Sequence, residues 1–323
     1  MSSIGKHIII GGGTGFIGSA LAKALSERGD RVTIISRTPG PGRITWDTLR
    51  TEGLPDCDAV VNLAGEHILQ PTRRWSDAYR DEVIRSRVDT TQTLVDAINA
   101  HPNPPAVFIS TAGKCFYGTR NVKPGEGYPE LDEDSAPMGI DFPAELVDRW
   151  EHAADHLDTS RIRHVRVRIG IVLGAVRRTS FFSRLWRIGR TRGVLPIIRL
   201  PFCLGMGASF GKGVQPFPWI HIDDMAGILI HLLDKSDATG RYNAVAPNIV
   251  SNRAFVEAFA RALRRPVVWS MPSWLITAVI GSERASILLE GQNVVPKRTL
   301  ASGYRFLYPT IDDAMDDLVE ITV

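Results

Sequence analysis

The stretch His7-Ile8-Ile9-Ile10-Gly11-Gly12-Gly13-Thr14-Gly15-Phe16-Ile17-Gly18 decides the fold. A short apolar run meets a cluster of glycines. Ile17, Leu21, Ala24 and Leu25 then recur at helical spacing. The glycines read as GxxGxxG (Gly12, Gly15, Gly18) or as GxGxxG (Gly13, Gly15, Gly18). Both readings rest on the same physics. Glycine permits the tight turn and lets backbone N–H groups approach a pyrophosphate, and the last glycine lets the helix pack on the sheet. The helix N-terminus offers its unpaired N–H groups and the positive end of its dipole to the anion. Thr14, Phe16 and Ile17 share the turn and count with Gly12, Gly13, Gly15 and Gly18 as candidate cofactor-binding residues. A glycine pattern alone is a weak signal. Following a strand and opening a helix makes it a strong one.

Working outward, Gly29 ends the helix and Val32 to Ile35 reads as a second strand. A NAD site places an acid about 20 residues after the glycines, on the ribose hydroxyls. Here that place holds Ser36 and Arg37, and no acid lies between Asp30 and Asp47. A carboxylate would repel a 2′-phosphate, whereas a guanidinium pairs with it. The predicted cofactor is therefore NADP(H). Ala59 to Leu63 is a third strand, ending in Asn62-Leu63-Ala64-Gly65. Small residues there let the strand end run beside the adenine ribose.

Trp75 to Ala100 reads as a long helix, with Ile84, Val88, Thr91, Val95 and Ile98 on one face, stopped by Pro102, Pro104 and Pro105. Ala106 to Ile109 is a fourth strand, Arg120 to Pro137 a loop over the site, Phe142 to Leu157 a helix and Val165 to Ile169 a fifth strand. Repeated βα units imply an α/β fold, a Rossmann-type doubly wound parallel sheet with a ligand crevice at the carboxyl ends of its strands. After Gly174 the texture changes, and Arg177 to Gly213 has no clear period. Trp219 to Ile222 and Tyr242 to Val245 are strand candidates, Asp223 to Leu233 a helix, and Ser251 caps a helix carrying Phe255, Phe259 and Leu263. The expected division is a cofactor domain over 1–175, its sheet completed by parts of 215–250. Residues 176–323 would be mainly a small mixed α/β substrate lobe.

Composition excludes other classes. The chain has 323 residues, 44% hydrophobic and 23% charged, close to the globular average. A net charge of +3 is too mild for a nucleic-acid surface. Only seven of the 38 basic residues are lysine, so arginine dominates. Cys57, Cys115 and Cys203 are odd in number and far apart, which fits neither a disulfide framework nor a metal site and points to a reducing compartment. No apolar run reaches the ~18 residues of a membrane span. With six residues before the first strand, neither a secretory signal nor an ordinary transit peptide is expected, and an organellar address would rest on a noncleaved or missing leader. The expected address is cytoplasmic, with the mitochondrial matrix as the alternative.

These residues together resemble the extended short-chain dehydrogenases/reductases, and more closely the atypical branch called epimerase family proteins, short-chain dehydrogenase/reductase family 39U. The resemblance runs along nearly the whole chain. It rests on Gly12 to Leu21, Ser36-Arg37, Pro41 to Trp46, Asn62 to Gly65, Arg74-Trp75, Ser86-Arg87 and Trp150-Glu151. It continues through Arg168 to Gly174, Pro218 to Asp224 and Gly291 to Leu300 with Val295-Pro296-Lys297-Arg298, the most specific piece. The resemblance implies NADP(H) binding and a small C-terminal domain. It also implies that Ile171 to Gly174, with Ile171 and Leu173 as contacts, lie near the nicotinamide end.

An active reductase of this kind carries Tyr-x-x-x-Lys on the helix after the fourth strand, where the ammonium lowers the tyrosine pKa and the phenol exchanges a proton with substrate. None of the six tyrosines has a lysine four residues on. Losing a general acid costs ~10²–10⁴ in rate. Substitute catalytic candidates are Ser110 and Thr111, read as following the fourth strand, and Tyr117 beside Gly118. Their structural alternatives are strand-end hydrogen bonding and pocket shaping. Glu151 is a third candidate, as a carboxylate base, and its structural alternative is a helix residue paired with an arginine. His221 with Asp223 and Asp224 reads as a helix cap and interface contact, and no metal is expected.

Three functions follow. The first is an NADP(H)-dependent oxidoreductase acting on an unidentified small molecule with an unconventional proton donor. The second is a non-catalytic NADPH-holding structural or sensor protein with a protein partner. A nucleotide-sugar epimerase ranks last, since it needs the missing pair and usually NAD.

Overall fold

The computed structural model describes residues 5–66, 68, 73, 75–118, 127–137, 141–174, 193–267 and 269–319. The expected loop over the site is thus described only over 127–137. Most of the arginine-rich stretch after Gly174 lies outside the described residues.

The first half alternates as read. Strand β1 (His7–Gly11) enters the glycine turn, which opens helix α1 (Phe16–Arg28). Gly29 closes that helix at φ +95°, a conformation that favours glycine. Then come β2 (Arg31–Ser36), β3 (Arg43–Thr45), α2 (Trp46–Glu52), β4 (Ala59–Asn62), α3 (Asp77–Asn99), β5 (Val107–Gly113), β6 (Glu130–Leu131), α4 (Phe142–His152), β7 (Arg163–Ile169) and β8 (Ile171–Leu173). Ser76 caps α3 through Tyr79 N–H, and Asp141 caps α4 through Ala144 N–H. Further strands are β9 (Ala208–Phe210), β10 (Pro216–Phe217), β11 (Trp219–His221), β12 (Gly240–Ala244), β13 (Val250–Ser251), β14 (Trp269–Met271) and β15 (Asn293–Val294).

Seven strands form the main sheet in the order β12-β7-β5-β4-β1-β2-β3, and every neighbouring pair is parallel. From β1 the chain first moves outward through β2 and β3. It then crosses back to β4 on the other side, so the order reverses between β1 and β4. Alternate residues of β1 face opposite layers. Ile8 and Ile10 pack with Leu21 and Leu25 of α1 and with Met225, Ile228 and Leu229 of the helix Ile222–Asp234. Ile9 packs with Leu49 of α2, Leu94 and Ile98 of α3, and Phe108. Helices on both faces bury the sheet, which is why its central strands β1 and β4 read as continuous apolar runs.

A third apolar cluster sits beside the sheet. It joins Leu173, Trp219 and Phe202 to Phe255 and Phe259 of the helix Asn252–Ala262, capped by Ser251, and to Met315 of the C-terminal helix Ile311–Leu318. The segment after Leu289 straps back across the sheet. Its β15 pairs with β6, Asn243 of β12 donates to the Val295 carbonyl at 2.9 Å, and Thr299 donates to the Asn243 carbonyl at 2.8 Å.

Four expectations need correction. β5 runs on to Gly113, so Ser110 and Thr111 lie inside the strand rather than after it. Both are buried polar residues whose hydroxyls find partners across the sheet, so polarity does not end the strand here. Helix α4 stops at His152, where turns replace the last expected helical residues. β3 and α2 form where no elements were expected, a three-residue edge strand being too short for a period. Within the aperiodic stretch, Leu195–Cys203 is a helix despite Pro196 and Pro201.

Candidate functional site

The carboxyl ends of β1, β2, β4, β5 and β7 open into one cavity of about 1960 Å³. It lies over the point where the strand order reverses, the position at which doubly wound sheets bind ligands.

The glycine turn forms one wall. Gly12 sits at φ +73°, and a Cβ there would lie 2.7 Å from the Leu63 carbonyl oxygen. A Cβ on Gly18 would lie 2.4 Å from the Gly12 oxygen, so this glycine allows α1 to touch the turn. Gly15 differs. A Cβ there would meet only the Gly12 oxygen, at 3.1 Å, and would otherwise stand in open cavity. Packing therefore accounts for Gly12 and Gly18, whereas Gly15 keeps space clear. The residue at the N-cap of α1 is Gly15, which has no side chain to cap the helix, and the first turn carries no acid. The positive end of the helix dipole faces the cavity.

Gly12, Thr14, Gly15, Phe16 and Ile17 line the cavity, while Gly13 and Gly18 lie behind the lining. Phe16 packs so closely on Gly174 that a Cβ there would lie 2.3 Å from its ring. Ser36 and Arg37 line the far end beside Trp46. The Ser36 hydroxyl donates to the Thr38 carbonyl. The Arg37 side chain is 86% exposed and reaches Glu66 Oε2 at 3.3 Å. Leu63, Ala64 and Gly65 line the middle. Asn62 is wholly buried behind them, donating to Thr91 Oγ1 at 2.9 Å and accepting from the Ala64 N–H at 3.1 Å. Arg87 closes this section. It donates to the Glu66 carbonyl at 2.8 Å and lies 5.1 Å from the centre of the Trp150 ring. Burial pulls its guanidinium pKa down to about 10.

Thr111, Ala112 and Gly113 at the end of β5 and Lys114 and Cys115 after it line the wall beside Ile169, Gly170, Ile171 and Val172. Leu173, expected beside Ile171, is instead fully buried in the apolar core with Trp219 and does not reach the cavity.

The substitute proton donors fare unequally. Ser110 is not in the cavity wall; its hydroxyl bonds His164 Nε2 at 2.8 Å. Burial pushes the His164 pKa down to about 3, with the charge of Arg166 adding to it. Thr111 does line the cavity, but its hydroxyl donates to the Asn62 carbonyl at 2.7 Å. Tyr117 is buried away from the cavity, between Asn243 Oδ1 at 2.9 Å, the Asp132 carbonyl at 2.8 Å and Arg168 Nη1 at 3.0 Å. Burial raises its pKa. Arg168 is held in turn by Glu151, with Nε to Oε1 at 2.7 Å and Nη2 to Oε2 at 3.0 Å, and Arg241 joins at 3.3 Å. These groups form a structural network.

His221 caps its helix, accepting from Asp223 N–H at 3.0 Å, and its Nε2 meets Asp317 at 3.1 Å. Asp224 accepts from Tyr304 OH and from the N–H groups of Leu307 and Tyr308 at 2.8–3.0 Å. This trio ties the C-terminal segment to the sheet.

Lys114 and Gln292 are the site residues that sequence reasoning missed. Lys114 is 8% exposed, and its Nζ donates to Gln292 Oε1 at 2.7 Å. A lone lysine after a strand matches no motif, and its partner is 178 residues away.

Comparison with known proteins agrees with this architecture. Residues 8–139 match the NAD dependent epimerase/dehydratase family, and residues 271–318 match a domain of unknown function (DUF1731). Epimerase family protein SDR39U1 of Bos taurus is 47% identical over 97% of this chain and 99% of its own length. The crystal structure of human epimerase family protein SDR39U1 (isoform 2) with NADPH superposes with a TM-score of 0.87 at 44% identity, covering 97% of this chain and 99% of that one. A nucleoside-diphosphate sugar epimerase from Corynebacterium glutamicum gives 0.72 at 28% identity, covering 98% of this chain and 58% of that one.

Proposed function

Because the chain belongs to the epimerase family proteins that include SDR39U1, we propose that it binds NADPH and uses it to reduce a small carbonyl compound. The observation that carries this reading is the glycine turn at the start of α1, where Gly15 keeps space clear beside the cavity at the switch point. The NADPH held by the human relative supports it.

The residues present suit the cofactor. The N–H groups at the start of α1 would hold the pyrophosphate. Leu63, Ala64 and Gly65 would flank the adenine ribose, and Arg37 would pair with the 2′-phosphate. The Arg37 guanidinium is 86% exposed and meets Glu66 at 3.3 Å, so it would turn to the phosphate when the cofactor binds. Ile171 would lie at the nicotinamide end. When bound, NADPH supplies a hydride. The chain must then orient the substrate, keep water out and deliver a proton. The apolar walls serve the second need, and residues 1–175 with β12 would form the cofactor domain.

The test mixes the protein and NADPH with a panel of aldehydes, ketones and enones and follows loss of the reduced nicotinamide absorbance. Oxidation driven by a panel member is the expected outcome. Tight NADPH binding with no oxidation across the panel would overturn the reductase reading and leave the cofactor as a structural or sensory ligand.

A further inference from the structure

We propose that Lys114 binds and protonates the substrate oxygen, and that the substrate is a carbonyl compound with an apolar body. This deepens the reductase reading and rests on it. Lys114 stands between Gly113 and Cys115 in the cavity wall, one residue beyond the point where Gly113 of β5 pairs with Ile169 of β7. It is more than nine-tenths buried. Among the described residues its ammonium has one acceptor, the neutral Gln292 carboxamide oxygen, and no carboxylate at ion-pair distance. An ammonium carries three donors. Burying one without a counter-ion is costly unless oxygen ligands complete its shell. The two remaining N–H groups are thus available to a ligand oxygen.

Gln292 sets the aim. Its Nε2 donates to the Gly118 carbonyl, which fixes the carboxamide with its oxygen toward Lys114. Gln292 is therefore a positioning residue, and it belongs to the C-terminal segment. This assigns that segment a part in the site.

The rest of the substrate end is largely apolar. Phe202, Phe210, Phe217, Phe255, Ile287 and Leu288 line it, with the Glu290 carboxylate beside them in the lining. Two further polar lining groups fix backbone. Gln215 Nε2 donates to the Phe210 and Leu288 carbonyls, and Asn252 Oδ1 accepts from the Phe210 N–H. Among the described residues this wall offers little for the hydroxyls of a sugar and suits a hydrocarbon body.

The reaction balances. The carbonyl carbon gains hydride as NADPH is oxidised to NADP⁺, the Lys114 N–H bond breaks, and the substrate O–H bond forms. Water then returns a proton to the neutral amine.

The test needs no turnover. 3-Phenylpropionate, an anionic oxygen on an apolar body, is titrated calorimetrically into NADP⁺-loaded wild type, Lys114→Gln and Lys114→Arg, with NADPH titrated alongside. The wild type should bind it, Lys114→Gln should lose ~10–100-fold, and Lys114→Arg should recover part of the loss. The neutral amide, 3-phenylpropionamide, should bind the wild type at least ~tenfold more weakly, a readout that survives if the variants do not fold. NADPH binding with equal 3-phenylpropionate affinity in wild type and Lys114→Gln overturns the Lys114 assignment alone. So does the lack of any saturable binding, or of any preference over the amide. No NADPH binding in the wild type overturns the cofactor reading instead.

Discussion

In the proposed cofactor site Arg37 would decide between the two nicotinamide nucleotides. It stands exposed at the rim, with no acid of its own strand to repel a 2′-phosphate. Arg37→Ala should weaken NADPH binding ~10–100-fold and NADH binding much less, as calorimetry of both would show. An equal loss for both would remove Arg37 from phosphate recognition. Glu151 illustrates the opposite kind of residue, buried and far from chemistry. It holds the Arg168 guanidinium, which also lies 3.3 Å from the centre of the Phe116 ring. Glu151→Ala leaves that cation buried and unpaired, and should cost ~3–5 kcal/mol in urea unfolding. His164 gives the fold a pH dependence. Its folded pKa is pushed down to about 3, whereas an unfolded histidine titrates near ~6.5. Below that pH the unfolded chain takes up a proton that the folded one refuses. The contribution is therefore full above ~6.5 and is lost as pH falls toward 3, at up to ~1.4 kcal/mol per pH unit. His221, also lowered by burial, acts in the same direction. His164→Gln should flatten the fall in urea midpoint across that range by about one proton's worth. An unchanged slope would contradict the assignment.

At the scale of elements, the turn between β1 and α1 separates two uses of glycine. Gly18 has no room for a Cβ, so substituting it attacks the fold. A Cβ on Gly15 would press only on the Gly12 oxygen at 3.1 Å, a far milder clash than at Gly18, so Gly15→Val should leave a folded protein by circular dichroism that binds neither NADPH nor NADH. Undiminished binding in that variant would refute the turn as the phosphate cradle. The same scale shows what the chain discloses about itself. β1 and β4 are legible because a strand buried on both faces reads as an apolar run, and β7 because Val165 and Val167 alternate with Arg166 and Arg168. The three-residue β3 carries no such run. The last residues of β5 are polar and pair with His164 and Asn62 only after the sheet has formed, so their strand character is hidden. The helix Leu195–Cys203 is masked by its two prolines. The candidate site divides in the same way. The cofactor half sits on local motifs and reads directly. The Lys114–Gln292 pair exists only through tertiary contact.

On the scale of the whole molecule, a parallel sheet reverses its order beside β1, and the cavity lies over that reversal. The C-terminal segment then straps β12 and the β6 loop together. Glu133 accepts from Asn243 N–H at 3.0 Å and Arg298 N–H at 3.1 Å, and Lys297 pairs with Asp132 at 2.9 Å, holding its carboxyl pKa down to about 2. Among the described residues no helix is long and apolar enough to cross a membrane. The architecture places a nucleotide cradle, a buried lysine and an apolar chamber along one cavity. The most direct test of that account is calorimetric titration of the wild-type protein with NADPH and with NADH under identical conditions. Saturable NADPH binding, with NADH weaker by ~tenfold or more, is the predicted result. Equal affinities, or tighter binding of NADH, would contradict it.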